Sequence, residues 1–104
     1  MSGAPTLRSI LDASAEGLDG VRTTSGTGGA ISWAHGEREF AVLDGDAVEI
    51  RLDGPIAAAA IRTPDSTVSP RGPEWVRFAP TTLDGHAVDR LTAWFALGYR
   101  RAGS

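Results

Sequence analysis

Residues 38–52 read REFAVLDGDAVEIRL, and the way its two halves pair decides the fold. In the second half Val48, Ile50 and Leu52 point one way while Glu49 and Arg51 point the other, the period of a half-buried strand. The first half is mixed, with Phe40 and Val42 on one face and Ala41 and Leu43 on the other. Asp44, Gly45 and Asp46 turn the chain between them. A two-residue loop at 44 and 45 would pair Ala41 with Val48 and set Phe40 opposite Glu49. A three-residue loop pairs Val42 with Val48 and Phe40 with Ile50, gathering the large apolar side chains on one face. A slip of one residue moves every side chain across the sheet, so burial favours the three-residue loop.

Upstream, AISWAH (30–35) is a further strand with Ile31 and Trp33 on one face, joined to residue 38 by a turn at Gly36 and Glu37. The stretch TTSGTGGA (23–30) reads as a loop or a frayed strand end. Before it, TLRSILDASAEGLDG (6–20) carries Leu7, Ile10, Leu11 and Leu18 at helical spacing. Thr6 can cap this helix and Gly17 can stop it. Downstream, Pro55 and an alanine run predict a short helix over 55–62. TPDSTVSPRGP (63–73) reads as a loop. EWVRFAP (74–80) is the fourth strand, with Val76 and Phe78 facing inward and Trp75 and Arg77 outward. Its flanking prolines suit a sheet edge or a sharp end. Asp84 is a good N-cap for a final helix whose inner stripe is Val88, Leu91, Trp94, Phe95 and Gly98. Arg100 and Arg101 fall where a helix C-terminus favours cations. Trp94 and Phe95, about 100° apart on this helix, are both expected in the core. The order is helix, three strands, short helix, strand, helix. It predicts an α+β two-layer sandwich over residues 1–104, with an antiparallel sheet of about four strands and the terminal helices on one face. Residues 1–5 and 103–104 are expected to be flexible ends.

Composition narrows the function classes. All ten cations are Arg, and Lys, Asn, Gln and Cys are absent. This usage looks like that of a high-GC bacterial genome. With no Cys there is no disulfide, thiolate or Cys-ligated zinc chemistry. No apolar run approaches the ~20 residues of a membrane span, and the N-terminus shows no signal-peptide pattern; a cytoplasmic protein with no membrane partner is expected. The net charge of −3 disfavours nucleic acid, whose binders usually present a basic face.

Few residues suggest chemistry. His35 and His86 have no carboxylate at a recognised metal spacing, and both are read as solvated, one in a hairpin turn and one in the first turn of a helix. DGDAVE lacks the later ligands of a calcium loop. SGTGGA fits neither phosphate-binding glycine motif, and no serine sits in a nucleophile elbow. No catalytic residue, metal ligand or cofactor is therefore assigned. The best candidates are Arg62, Arg71 and Arg77 with Trp75, a set able to converge on one ligand- or partner-binding patch, since arginine beside an aromatic ring binds anions or stacks. The plainer alternative is that these arginines are solvated and paired with Asp65 and Glu74.

Three pieces together resemble a known family. REFAVLDGDAVEIRL matches its central hairpin. EWVRF is similar to its Gly-Trp-Val-Arg strand, with Glu74 in place of the glycine. LTAWFALGYRRA is similar to its closing helix, which often ends in Ser-Tyr-Arg. Over roughly residues 30–102 the chain resembles the MmcQ/YjbR family of small bacterial domains, which share the fold of the frataxin-like CyaY proteins. The luciferase-associated small domain has a similar pattern. The first resemblance implies DNA binding, but PRGPE stands where that family commonly carries a lysine, and no catalytic residue carries over. The leading expectation is a non-catalytic binding or interaction module that meets a protein or small-molecule partner through residues 63–75 and the adjoining outer sheet face. YjbR-like DNA binding comes next, and a small-molecule carrier or enzyme last.

Overall fold

The structure, a computed structural model, describes residues 6–103. Helix α1 runs Leu7–Glu16 and is followed by four strands in succession: β1 (Val21–Ser25), β2 (Ile31–His35), β3 (Arg38–Asp44) and β4 (Ala47–Arg51). Helix α2 (Gly54–Ala60), strands β5 (Ser66–Val68) and β6 (Trp75–Phe78), and helix α3 (Gly85–Ala102) follow. The α+β class holds, but among the described residues the sheet has six strands, in the order β1-β2-β3-β4-β6-β5, every neighbouring pair antiparallel. The sequence reading counted neither β1 nor β5, although its frayed strand end at residues 23–30 overlaps the last three residues of β1. β1 is an edge strand with four of its five residues exposed, so VRTTS carries β-branched residues but no buried alternation. β5 has three residues and lies inside the segment read as a loop. Because β5 pairs with β6, the Trp75 strand is internal; of the two readings its prolines allowed, an edge or a sharp end, the structure rules out the edge, and the strand stops at four residues between Pro73 and Pro80.

The hairpin that opened the analysis closes in neither of the two registers weighed. Leu43 pairs with Val48 and Ala41 with Ile50, leaving a two-residue loop of Gly45 and Asp46. Gly45 has φ of +64°, the conformation a II′ hairpin turn asks of its first loop residue. The apolar side chains still reach the core because β3 carries a bulge. Its register against β2 shifts between Trp33 and Ala34, so that Phe40 is the extra residue. Both Phe40 and Ala41 enter the core with Leu43, while Val42 is buried apart from that cluster on the opposite face. A bulge spends one residue without a partner and restores alternation beyond it. Phe40 and Val42 therefore do not share a face.

The helices take the positions their capping residues set. Thr6 forms a capping box with Ser9, and Gly17 ends α1. Leu18 lies beyond that end but still packs against the core. Asp84 caps α3, its carboxylate accepting the Ala87 N–H at 2.9 Å. The expected flexible residues 1–5 and 104 lie outside the described residues, whereas Gly103 caps α3 by donating its N–H to the Tyr99 and Arg101 carbonyls.

One cluster joins the two layers. Ile10 and Leu11 of α1, Ala57 and Ala60 of α2, and Leu91, Trp94 and Phe95 of α3 pack on Trp33, Phe40, Val48, Ile50, Val76 and Phe78. Phe95 meets the edges of Trp33 at 6.0 Å and Phe40 at 4.9 Å, and Trp94 meets Phe78 at 5.4 Å; edge-to-face pairs of this kind add to area burial. α3 crosses the sheet closely at Gly98, where a β-carbon would stand 3.1 Å from the Arg51 carbonyl oxygen.

His35 is a second departure. It is half-buried and lies flat against Tyr99, ring centroids 4.2 Å apart and planes 3° from parallel. Its Nδ1 is 3.1 Å from the Tyr99 carbonyl oxygen, and the Tyr99 hydroxyl donates to the Asp19 carbonyl. The hairpin end of β2 is thereby tied to the last turn of α3. His86 is exposed in the first turn of α3.

Candidate functional site

The alternation along each strand that feeds the core leaves a second row on the opposite face. Reading across the sheet, that row is Thr24, Ser32, Val42, Glu49, Arg77 and Thr67. Trp75, paired with Arg51, stands on the same face one step along β6. The core cluster draws its helical members from all three helices, so the helices occupy the other side and this face is left to the β5–β6 loop, residues 69–74.

That loop folds back over Glu49. The Glu49 residue is only 6% exposed, and a carboxylate so placed needs partners for its charge. The Ser69 hydroxyl donates to Oε2, and the Arg71 guanidinium donates through Nε to Oε1 at 2.9 Å. Ser69 itself accepts the Arg71 backbone N–H at 3.1 Å, which locks the loop to the residue it covers. Arg71 also approaches Glu39 at 3.9 Å and lies over the Trp75 ring, 5.4 Å from its centroid. Burial raises the Glu49 pKa, but the hydrogen bonds from Ser69 and Arg71 and the charges of Arg71 and Arg77 outweigh it. The carboxyl is held below its ordinary 4.5. A cavity of about 170 Å³ opens beside Arg71, lined by Glu39, Val42, Ser32 and the glycine-rich turn at Gly26 and Ala30.

A second ionic group closes one end of the sheet. Glu74 Oε1 accepts from Arg51 at 3.1 Å and from Arg101 at 2.8 Å, and Arg101 also donates to Asp53 at 3.0 Å. The hydrogen bond from Arg51, followed by the charges of both arginines, lowers the Glu74 pKa below 4.5 against the opposing effect of desolvation. A larger concavity of about 930 Å³ lies where the start of α1, the β3–β4 turn and residues 79–83 meet. Its one arginine, Arg8, is engaged by Asp12 at 2.8 Å.

Three of the four residues singled out in the sequence meet on the open face: Arg71, Trp75 and Arg77. Arg62 does not join them. It follows α2, which packs into the core through Ala57 and Ala60, and no hydrogen bond or ion pair links it to the group. The expected partners also differ. Arg71 pairs with Glu49 and Glu39, not with Asp65 or Glu74, and Glu74 serves Arg51 and Arg101. Glu49 was legible only as an outward-facing residue of its strand; the Ser69 and Arg71 that fold onto it lie 20 and 22 positions away. Comparison of the chain with protein-family models, with curated proteins and with solved structures finds no match.

Proposed function

We propose that this protein is a non-catalytic interaction module that docks a partner on the open face of its sheet. The observation that carries the reading is the half-buried Trp75 flanked by Arg71 and Arg77 on a face without a helical cover. Tryptophan and arginine are the side chains that most often dominate the energetics of protein interfaces. The ionic arrangement supports binding over acid–base catalysis. Glu49 and Glu74 are both held ionised by arginines, the reverse of the raised carboxyl a general acid needs. It also supports a protein partner over DNA. Arg71, Arg51 and Arg101 are engaged by carboxylates of the same chain, and the net charge is −3; both weaken attraction to phosphates.

The likeness to MmcQ/YjbR domains enters the proposal through the WVRF strand and the closing helix. Terminal helices on one face of an antiparallel sheet agree with the frataxin-like fold which that likeness implies. No helix among the described residues is long and apolar enough to cross a membrane, and a cytoplasmic site of action is part of the same proposal.

The test compares immobilised wild type with Trp75→Ala and Arg77→Ala in lysate of the source cells, with retained proteins identified by mass spectrometry. A partner kept by wild type and lost from both variants, at unchanged helix content, is the expected result. An identical set on all three proteins removes the open face from the role.

A further inference from the structure

We propose that Arg71 occupies, from within its own chain, a receptor for an arginine side chain of the partner, built from Glu39, Glu49 and Trp75. The inference rests on the docking reading above and names the chemistry the docking face accepts.

Three groups converge on one guanidinium. Glu49 takes Nε at 2.9 Å, Glu39 stands 3.9 Å from Nη1, and the Trp75 ring lies 5.4 Å from Cζ. Two carboxylates and an aromatic face are what a guanidinium prefers: it pairs with carboxylate oxygens through a planar fork, stacks on rings and is weakly hydrated. The receptor groups belong to the sheet, on β3, β4 and β6, while Arg71 comes from a connecting loop. The receptor also keeps its shape when Arg71 leaves. Ser69 holds Oε2 of Glu49, so Oε1 remains directed at the place the guanidinium occupies.

The occupant is exchangeable. The Arg71 side chain is 39% exposed and its contact with Glu39 is long, so rotation about its own stem can carry its head into water. The 170 Å³ cavity bordered by Glu39, Val42 and Arg71 gives room beside it. Arg77, across the ladder from Glu49, opposes a second cation, so the receptor takes one guanidinium at a time. A partner arginine therefore competes with Arg71. The resting protein meets cationic peptides weakly, and release of Arg71 exposes the site.

The test uses the full chain and N-acetyl-L-arginine amide as the probe, followed by the Trp75 indole N–H signal in NMR spectra, assigned with Trp75→Phe. Arg71→Ala is expected to bind the probe at least tenfold more tightly than wild type and more tightly than N-acetyl-L-lysine amide; adding Glu49→Gln abolishes the gain. Arg71→Met, which keeps an unbranched apolar stem, repeats the measurement should Arg71→Ala unfold. Binding by the folded Arg71 variant no tighter than wild type, or equal binding of N-acetyl-L-glutamate amide, overturns the proposal. Failure here with partner capture still dependent on Trp75 and Arg77 sinks only the receptor. Tight probe binding with capture indifferent to those residues sinks the docking reading instead.

Discussion

Replacing Gly98 by alanine tests the packing of the two layers. The new β-carbon would lie 3.1 Å from the Arg51 carbonyl oxygen, 3.1 Å from Ile50 Cγ2 and 3.2 Å from Phe40 Cδ2. Carbon contacts are comfortable at about 3.5–4.0 Å, so each carbon neighbour would have to retreat by several tenths of an ångström. None has somewhere to go. Arg51 is on β4, bonded on both sides in the middle of the sheet; Ile50 is fully buried; Phe40 is held by Phe95 and Tyr99. Overpacking costs about 1–3 kcal/mol, and three simultaneous contacts with fixed neighbours place this site near the upper value. Relief of the glycine penalty in a helix returns about 1 kcal/mol. The net loss is about 2 kcal/mol, a fall in Tm of roughly 8–16 °C at about 4–8 °C per kcal/mol for a domain near this size. Thermal unfolding followed by circular dichroism measures it. Gly85→Ala is the control, since a β-carbon there meets nothing within 4 Å, and it should melt at or slightly above the wild-type temperature. A Gly98→Ala protein as stable as wild type would refute the close approach of α3 to β4.

Two further outcomes are expected. The Glu49 carboxyl is depressed below its ordinary 4.5, so the stability it supplies is complete above the unfolded value and drains away as pH falls through the folded one. The Tm difference between wild type and Glu49→Gln should therefore be widest near neutral pH and narrow on acidification below about pH 4.5; a gap that stays constant down to about pH 2 contradicts the buried ion pair. Asp84→Ala removes the acceptor of the Ala87 N–H and should cost about 1 kcal/mol in urea unfolding, with Asp84→Asn losing much less.

The sequence made legible what alternation and capping control. Val48, Ile50, Val76 and Phe78 face the core as their period required, Thr6 and Asp84 cap their helices, and Trp94 and Phe95 share the inner stripe. What escaped depends on distant partners. β1 is a strand because β2 offers it a ladder, not because VRTTS has a buried face. β5 is a strand because β6 lies alongside. The 38–52 register turned on a bulge at Phe40 that only the β2 pairing reveals. Within the site, Trp75, Arg77 and Arg71 were found by residue type, whereas Glu49 lies 22 positions before Arg71, and nothing local announces such a pair. His35 likewise looks like an ordinary turn residue until Tyr99, 64 positions away, is placed against it.

The strand order has a consequence for synthesis. β6 is the last strand made, yet it sits between β4 and β5. A chain made only as far as Val68 contains β1 to β5 but lacks the strand that joins β4 to β5, so neither of those strands has its β6 partner. Unpaired edges of this kind recruit other chains. Products truncated before Trp75 should therefore be less soluble than the full chain, because the gap between β4 and β5 stays open until residues 75–78 fill it.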